Sequence, residues 1–478
     1  MLSKASLLLR AAGVLALLMS ATLWTTSAHA GGLYLFDRGA RPLGRGGAFV
    51  AGVDDPNALW YNPAGLAESG NQVMGDATLS IAIASVQRTN PDGSTMAKVD
   101  AKPLPIPIPQ LGFSNKFGMK NVTFGAGIFA PNVLLVGYPR SIGGPDGTRL
   151  PSPTRYSLIN LNGSLLSTLA LGLAYSGIKG LSLGGALHLT GGRFAGQAAL
   201  NACDGTVCTF PEDPAFDAYA KFAAFPVYGI SGILGATWNI DDRVRFGASV
   251  VLPYTLRGSG TLSTRLPDSS LFDGASVQGN KMDFSMKMPT IVRVGSEIRP
   301  VRSLRLEGAV VWEQWSRQKS IDIKPQHVTI NNVTGVGDYQ VGAIKLQRNM
   351  NNVYSIRGGF EFFPPASIAG KLLKKQKFAV RGGLAYEKSA FTNKSLSPLT
   401  LDSNKVIISG GLSIDLAKWL RFDTVLGLIH MLDPKVRDSQ ITQPTALRPA
   451  YVDASTLGNG NYKMEAFFLG GGFAIKTN

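Results

Sequence analysis

From residue 74 to the C-terminus the chain repeats one pattern: an apolar or aromatic residue at every second position, with small, polar or charged residues between. A period of two puts alternate side chains on opposite faces of a β-strand. In 244–256 the apolar set is Val244, Phe246, Ala248, Val250, Leu252, Tyr254 and Leu256. In 282–298 it is Met282, Phe284, Met286, Met288, Val292 and Val294. Leu304, Leu306, Val310 and Trp312 continue it, as do Leu420, Phe422, Leu426, Leu428 and Leu432, then Phe467, Leu469, Phe473 and Ile475. Beyond residue 30 no stretch approaches the roughly 18–20 continuous apolar residues of a spanning helix. One of the most apolar runs, 165–175, is broken by Ser167, Thr168 and Gly172. Only 16% of residues are charged, below the roughly 25% of ordinary globular chains, and glycine supplies 56 of 478. These features point to a transmembrane β-barrel, with the apolar set facing lipid and the other set facing a lumen.

Fourteen such strands are predicted, near 74–88, 106–118, 121–132, 164–178, 180–196, 227–240, 243–262, 281–298, 303–318, 350–363, 376–389, 403–416, 419–433 and 462–476. Short turns alternate with long loops, the arrangement of outer-membrane barrels, whose long loops lie outside the cell. An even strand count puts both termini on the periplasmic side. The run Pro103, Pro105, Pro107 and Pro109 reads as an extended lead into a strand.

Residues 1–30 read as a secretory signal. Lys4 and Arg10 form the basic region, 11–23 the apolar region, and Ala28-His29-Ala30 the cleavage site. Residues 31–73 precede the first strand. They join the small-residue run with Gly44, Gly46 and Gly47 to a turn at Asn62, Pro63 and Ala64. Leu33, Tyr34, Leu35, Phe36, Phe49, Trp60 and Tyr61 are too apolar for a tail in water, so this segment is expected to plug the lumen. The chain therefore divides into a signal (1–30), a hatch (31–73) and a barrel (74–478).

The block from Leu43 to Leu66, LGRGGAFVAGVDDPNALWYNPAGL, resembles the N-terminal hatch of the FadL family of outer-membrane transporters, including its Asn-Pro-Ala element. LEGAVVWEQWS (306–316), YSIRGGFEF (354–362) and FAVRGGLAYEKS (378–389) resemble that family's strands. The resemblance spans nearly the whole mature chain. It implies a hatch-filled, fourteen-stranded channel for passive uptake of long-chain fatty acids or other hydrophobic molecules, with hatch movement opening a lateral exit. The family also implies residence in the outer membrane. Aromatic or alkane hydrocarbons are an alternative cargo, and a sealed-lumen receptor or adhesin is an alternative of another class.

A fatty acid needs an apolar tunnel and a cation for its carboxylate. Alternation turns Lys287, Arg293, Arg305, Arg357 and Arg381 inward, as candidate carboxylate ligands, beside Glu297, Glu307, Glu361 and Glu387 as rival ion-pair partners. In the long segment 197–226, Phe210, Phe216, Tyr219, Phe222 and Phe225 could form an outer landing patch, with 216–225 as a short amphipathic helix. Export makes a Cys203–Cys208 disulfide plausible. Of the four histidines only His188 points inward, with no nucleophile paired to it. No enzyme activity, metal or cofactor is expected. The formal charge of +16 suits anionic lipid head groups better than nucleic acid, which an exported chain rarely meets. The expected partners are a hydrophobic small molecule and outer-membrane lipids, and the expected state is a monomer.

Overall fold

The computed structural model describes residues 37–476, apart from 104, 131–136, 145, 158, 203–207, 209–210, 366–376 and 444–454. The expected signal, residues 31–36 of the expected hatch, Cys203 and Phe210 lie outside the described residues.

Fourteen antiparallel strands form the wall. They are β1 (Gln72–Arg88), β2 (Ile106–Asn115), β3 (Val122–Phe129), β4 (Leu165–Ile178), β5 (Leu181–Asn201), β6 (Asp217–Asn239) and β7 (Val244–Val251 continuing as Tyr254–Arg265). They continue with β8 (Lys281–Met288 continuing as Ile291–Val301), β9 (Leu304–Glu313), β10 (Val353–Phe362), β11 (Phe378–Glu387), β12 (Lys405–Ala417), β13 (Leu420–Met431) and β14 (Gly460–Lys476). Each pairs with its sequence neighbour, and β14 closes the barrel on β1 from Gln72↔Lys476 to Arg88↔Gly460. Closure leaves the described wall with no unpaired edge, the condition for strands to cross a bilayer.

The alternation holds along the lower wall. Phe246, Leu252, Val294, Val310 and Trp312 face outward and are exposed, while Ser249, Arg293 and Glu307 are buried inside. It breaks in the upper wall. β7 is interrupted at Leu252-Pro253 and β8 at Pro289-Thr290, and β9 runs into a tight turn at Trp315–Arg317 before Ser320–Gln326 continues it. Proline cannot donate to a ladder and sits at such irregularities. An interruption of this kind reverses the facing of everything beyond it. Leu256, Met282, Phe284, Met286 and Met288 therefore point inward, and Tyr254 is half-buried, against the expectation that all six face lipid. Lys287 points outward and is exposed, so it is not a lumen cation.

A second correction concerns residues 216–225. Phe216 ends a tight turn at Pro214–Phe216, and 217–225 form the start of β6, hydrogen-bonded to β5 from Asn201↔Asp217 to Phe194↔Ala224, so no amphipathic helix forms. The residues alternate with a period of two: Ala218, Ala220, Phe222 and Ala224 are buried, whereas Lys221 and Phe225 are exposed.

Residues 37–71 fill the lower lumen as three single-turn helices, Ala40–Leu43, Ala58–Tyr61 and Leu66–Ser69, with a tighter turn at Pro63–Gly65. Their polar groups reach strands on every side. Ala40 N–H donates to Asp76 on β1, His188 on β5 bonds Leu59 O at 2.8 Å, and Ser249 on β7 donates to Tyr61 O at 2.6 Å. On β12, Ser409 Oγ accepts from Gly46 N–H at 3.1 Å.

Candidate functional site

The hatch is locked by buried ion pairs. Arg41 makes a two-pronged contact with Glu361 on β10, at 3.0 and 2.9 Å, and also meets Asp54 and Asp55 of the hatch itself. Arg45, fully buried, reaches Glu307 at 2.9 Å and Glu297 at 3.3 Å. Glu307 also accepts the consecutive backbone N–H groups of Val50, Ala51 and Gly52 at 2.6, 2.8 and 3.0 Å. A buried carboxylate is tolerable only when its lone pairs are used this fully.

The Asn-Pro-Ala turn is held as tightly. Asn62 Oδ1 accepts from Ala64 N–H at 3.2 Å, and its amide donates to Val50 O at 2.9 Å and Ala236 O at 3.0 Å. Pro63 and Ala64 lie so close to Gly184 that a Cβ there would collide with their backbone. Gly44 sits against Gly411, while Gly46 and Gly47 take positive φ values of 62° and 75°, which glycine adopts without strain.

Three of the cations singled out from sequence are engaged by carboxylates. Arg305 meets Asp54 at 2.7 Å, Arg357 pairs with Asp37, and Arg381 meets Glu361 at 2.7 Å and Asp423 at 3.1 Å. Arg293 is buried against the hatch, 5.9 Å from the Tyr61 ring centroid. Arg293, Arg305 and Arg357 tie hatch to wall, Arg381 joins wall strands, and none offers an open cation to a cargo. His188 is likewise structural: besides its bond to Leu59 it stacks on Trp60 at 5.8 Å.

Above the hatch the upper lumen, the chamber, is filled by one cluster of buried apolar side chains. The reversed upper wall lines it with Leu256, Met282, Phe284, Met286 and Met288, joined by Phe194, Phe222, Trp315, Ile321, Met350, Met431 and Met464. Phe194 stacks on Phe284 at 4.7 Å and on Phe222 at 6.1 Å. Methionine is unbranched and adapts to varied apolar shapes. The proposed landing residues divide between environments. Phe222 faces this chamber, Phe216 packs with Ala202 and Phe272 in the outer loops, and Tyr219 lies under Arg140 and Arg265. Phe225 alone of these described residues is exposed. Cys208 packs beside the Phe216 cluster.

The chamber carries a polar anomaly. Arg348 is buried beside Met350 and Phe391, its guanidinium 5.2 Å from the Phe391 ring centroid. Its Nε has no hydrogen-bond partner, and among the described residues no carboxylate lies within ion-pair distance. Burial pushes this guanidinium down to about 10, against the pull of Asp402. Asp402 is itself spent, accepting from Lys405 at 2.9 Å and Ser389 at 3.0 Å. Burial pushes its carboxyl up to about 7 despite Lys405. A cavity of about 180 Å³, lined by Ser389, Phe391, Leu396, Asp402 and Leu432 among others but not by Arg348, opens between the loops beside Phe391 and Asp402. Arg348 lies in a segment read from sequence as loop, where strand parity gives no facing. Its signal was an arginine set between apolar Leu346 and Met350.

The chain matches the family described as "Outer membrane protein transport protein (OMPP1/FadL/TodX)" over residues 21–465. No curated protein matches it in sequence. Among solved structures it resembles a Pseudomonas aeruginosa FadL homologue at 14% identity, covering 95% of this chain and 100% of that one, TM-score 0.66. It resembles the P. putida toluene transporter TodX at 16% identity, covering 93% and 99%, TM-score 0.62. For the Ralstonia pickettii toluene transporter TbuX the identity is 18%, with 93% and 99% covered and a TM-score of 0.57. At these identities the likeness speaks to fold.

Proposed function

The chain belongs to the FadL/TodX family of outer-membrane transporters for hydrophobic compounds, and from that membership we propose that it takes up long-chain fatty acids or similar amphipathic acids passively. The observation that carries this reading is Arg348. An apolar chamber serves any hydrophobic molecule, but a buried guanidinium without a carboxylate partner is costly unless something anionic reaches it. A bound acid would lay its chain among Met286, Met350 and Phe284 and bring its carboxylate to Arg348. Onward passage requires the hatch to shift, because Arg41 and Arg45 hold it across the lumen. Exit through the wall after that shift belongs to the same proposal, as do a monomeric state and contact with outer-membrane lipids.

A second reading has its own support. The Phe194–Phe284–Phe222 stack suits a flat aromatic cargo, and two similar structures are toluene transporters. Uptake of labelled oleate and labelled toluene by cells carrying Arg348→Gln separates the two. Loss of oleate uptake alone supports the acid. Unchanged oleate uptake removes Arg348 from the account and favours the hydrocarbon.

Export is proposed to remove residues 1–30, and Cys203 and Cys208 to form a disulfide. The intact mass of the mature protein reads both. A chain beginning at Gly31 and lighter by two hydrogens supports them, and a retained N-terminus or an unchanged thiol mass contradicts the respective claim.

A further inference from the structure

The outward face of the wall changes chemistry where β7, β8 and β9 break. Below the breaks it is lined by Phe246, Leu252, Val294, Val310 and Trp312. Above them the exposed outward positions include Arg257 on β7, Lys281 and Lys287 on β8, Lys324 on Ser320–Gln326 and Lys345 on Ile344–Gln347. Strand register sets these side by side. Thr255 faces Lys287, and Arg257, Ser285, Asp322 and Lys345 form one row. Ser259, Asp283 and Lys324 form the next, followed by Thr261, Lys281 and Gln326.

Neighbouring strands lie about 4.8 Å apart and same-face residues about 6.8 Å apart along a strand, so five cations share a patch roughly 20 Å across. Among the described residues none of the five has a carboxylate within ion-pair distance. The two acids between them are occupied: Asp283 accepts from Ser259 at 2.8 Å and Gln326 at 2.7 Å, and Asp322 accepts from Ser320 at 2.5 Å. A charged face is often merely solvated. This one begins at the upper edge of the lipid-facing band, beside exposed Tyr228, the register partner of Arg257. Aromatic residues mark the membrane interface on such barrels, and the level just beyond it is where lipid phosphates lie.

We infer that this face docks the lipid A phosphates of lipopolysaccharide in the outer leaflet, with Arg257, Lys281, Lys287 and Lys324 as the principal ligands. The inference deepens the proposed contact with outer-membrane lipids and places it on one side of the barrel. Arginine and lysine both suit phosphate, arginine by its two-pronged geometry and lysine as a point charge. Their placement on a paired sheet keeps the array open without ordering a flexible loop.

The test uses the full mature protein in nanodiscs. The probes are lipopolysaccharide, the same lipid enzymatically stripped of its lipid A phosphates, and phosphatidylglycerol. Native mass spectrometry reads what remains bound after transfer to detergent. The wild type should retain lipopolysaccharide at least tenfold better than the variant carrying Arg257→Gln, Lys281→Gln, Lys287→Gln and Lys324→Gln. It should hold the stripped lipid and phosphatidylglycerol no better than that variant holds lipopolysaccharide. Equal retention by wild type and variant overturns the inference, as does indifference of the wild type to phosphate removal. Should the variant fail to insert, the stripped-lipid arm on the wild type decides alone. Oleate uptake by wild-type cells, measured in parallel, bears on the transport reading and leaves this outcome untouched.

Discussion

Gly359 on β10 and Gly383 on β11 are cross-strand partners, and the backbone of Arg45 lies directly against both, with that of Gly46 against Gly383. A Cβ at either position would collide with that backbone. Neither glycine is needed for a turn. Their use is to let the hatch approach the wall closely enough for Arg45 to reach Glu307. Gly184 and Gly235 form a matching pair beneath Asn62 and Pro63, and Gly247 and Gly295 another beneath Val50 and Ala51.

Gly383→Val should therefore unseat the hatch while leaving the wall intact. Forcing side-chain volume into a packed contact costs about 1–3 kcal/mol. The barrel should still insert, and planar-bilayer recordings should show larger and noisier ion conductance than wild type. An unchanged, closed trace would separate the glycine pair from hatch seating.

Glu307→Gln tests the lock itself. It leaves Arg45 with a weakened partner and disturbs three backbone amides at once. Breaking one side of a buried pair costs about 3–5 kcal/mol, and the isosteric amide should recover part of that. Amides of Val50, Ala51 and Gly52 should exchange with solvent at least tenfold faster, while β-strand amides stay protected. Uniform acceleration through the wall would instead mark Glu307 as a barrel residue rather than a hatch clamp.

Strand positions were legible because lipid on one face imposes alternation that a single sequence displays. The reversals at Leu252-Pro253 and Pro289-Thr290 were not, because apolar residues occupy every second position on both sides of each break. Periodicity cannot tell an apolar chamber from lipid. The hatch was legible as an apolar segment with nowhere else to go. Its partners were not: Arg45 and Glu307 lie 262 residues apart, and nothing local joins them. The lumen arginines were placed correctly by parity in Arg293, Arg305, Arg357 and Arg381. What they bond was invisible until Asp37, Asp54 and Glu361 were located in space.

Arg348→Gln should weaken binding of a long-chain carboxylate by about 10–100-fold, the worth of one charge-assisted contact of about 1.5–3 kcal/mol. Binding of an uncharged hydrocarbon of equal length should change less than threefold. Equilibrium titration of purified barrel with both ligands checks this, and equal losses would point to a packing defect at Met350 and Phe391.

Binding of an anion should also depend on pH through Asp402. Its folded-state carboxyl sits near 7, raised chiefly by burial, so the protonated form prevails below that value and the ionised form above it. Ionised Asp402 places negative charge near Arg348, too far to pair with it, and repels an incoming anion; neutral Asp402 does not. An alkyl sulfate, charged at every pH used, should bind several-fold more tightly at pH 6 than at pH 8, and Asp402→Asn should flatten the profile. The stability term has the same sign: a carboxyl raised to about 7 contributes fully below the ordinary carboxylate range, and that contribution is lost as pH climbs from there to about 7.

The central claim is that cargo lodges in the chamber above a locked hatch with its head at Arg348. Anomalous diffraction from crystals soaked with a fatty acid brominated at mid-chain tests it most directly. The account predicts a bromine peak enclosed by Met286, Phe284 and Trp315, with carboxylate density at the Arg348 guanidinium. Bromine found only on the lipid-facing wall, or within the lumen with its head turned away from Arg348, would contradict it.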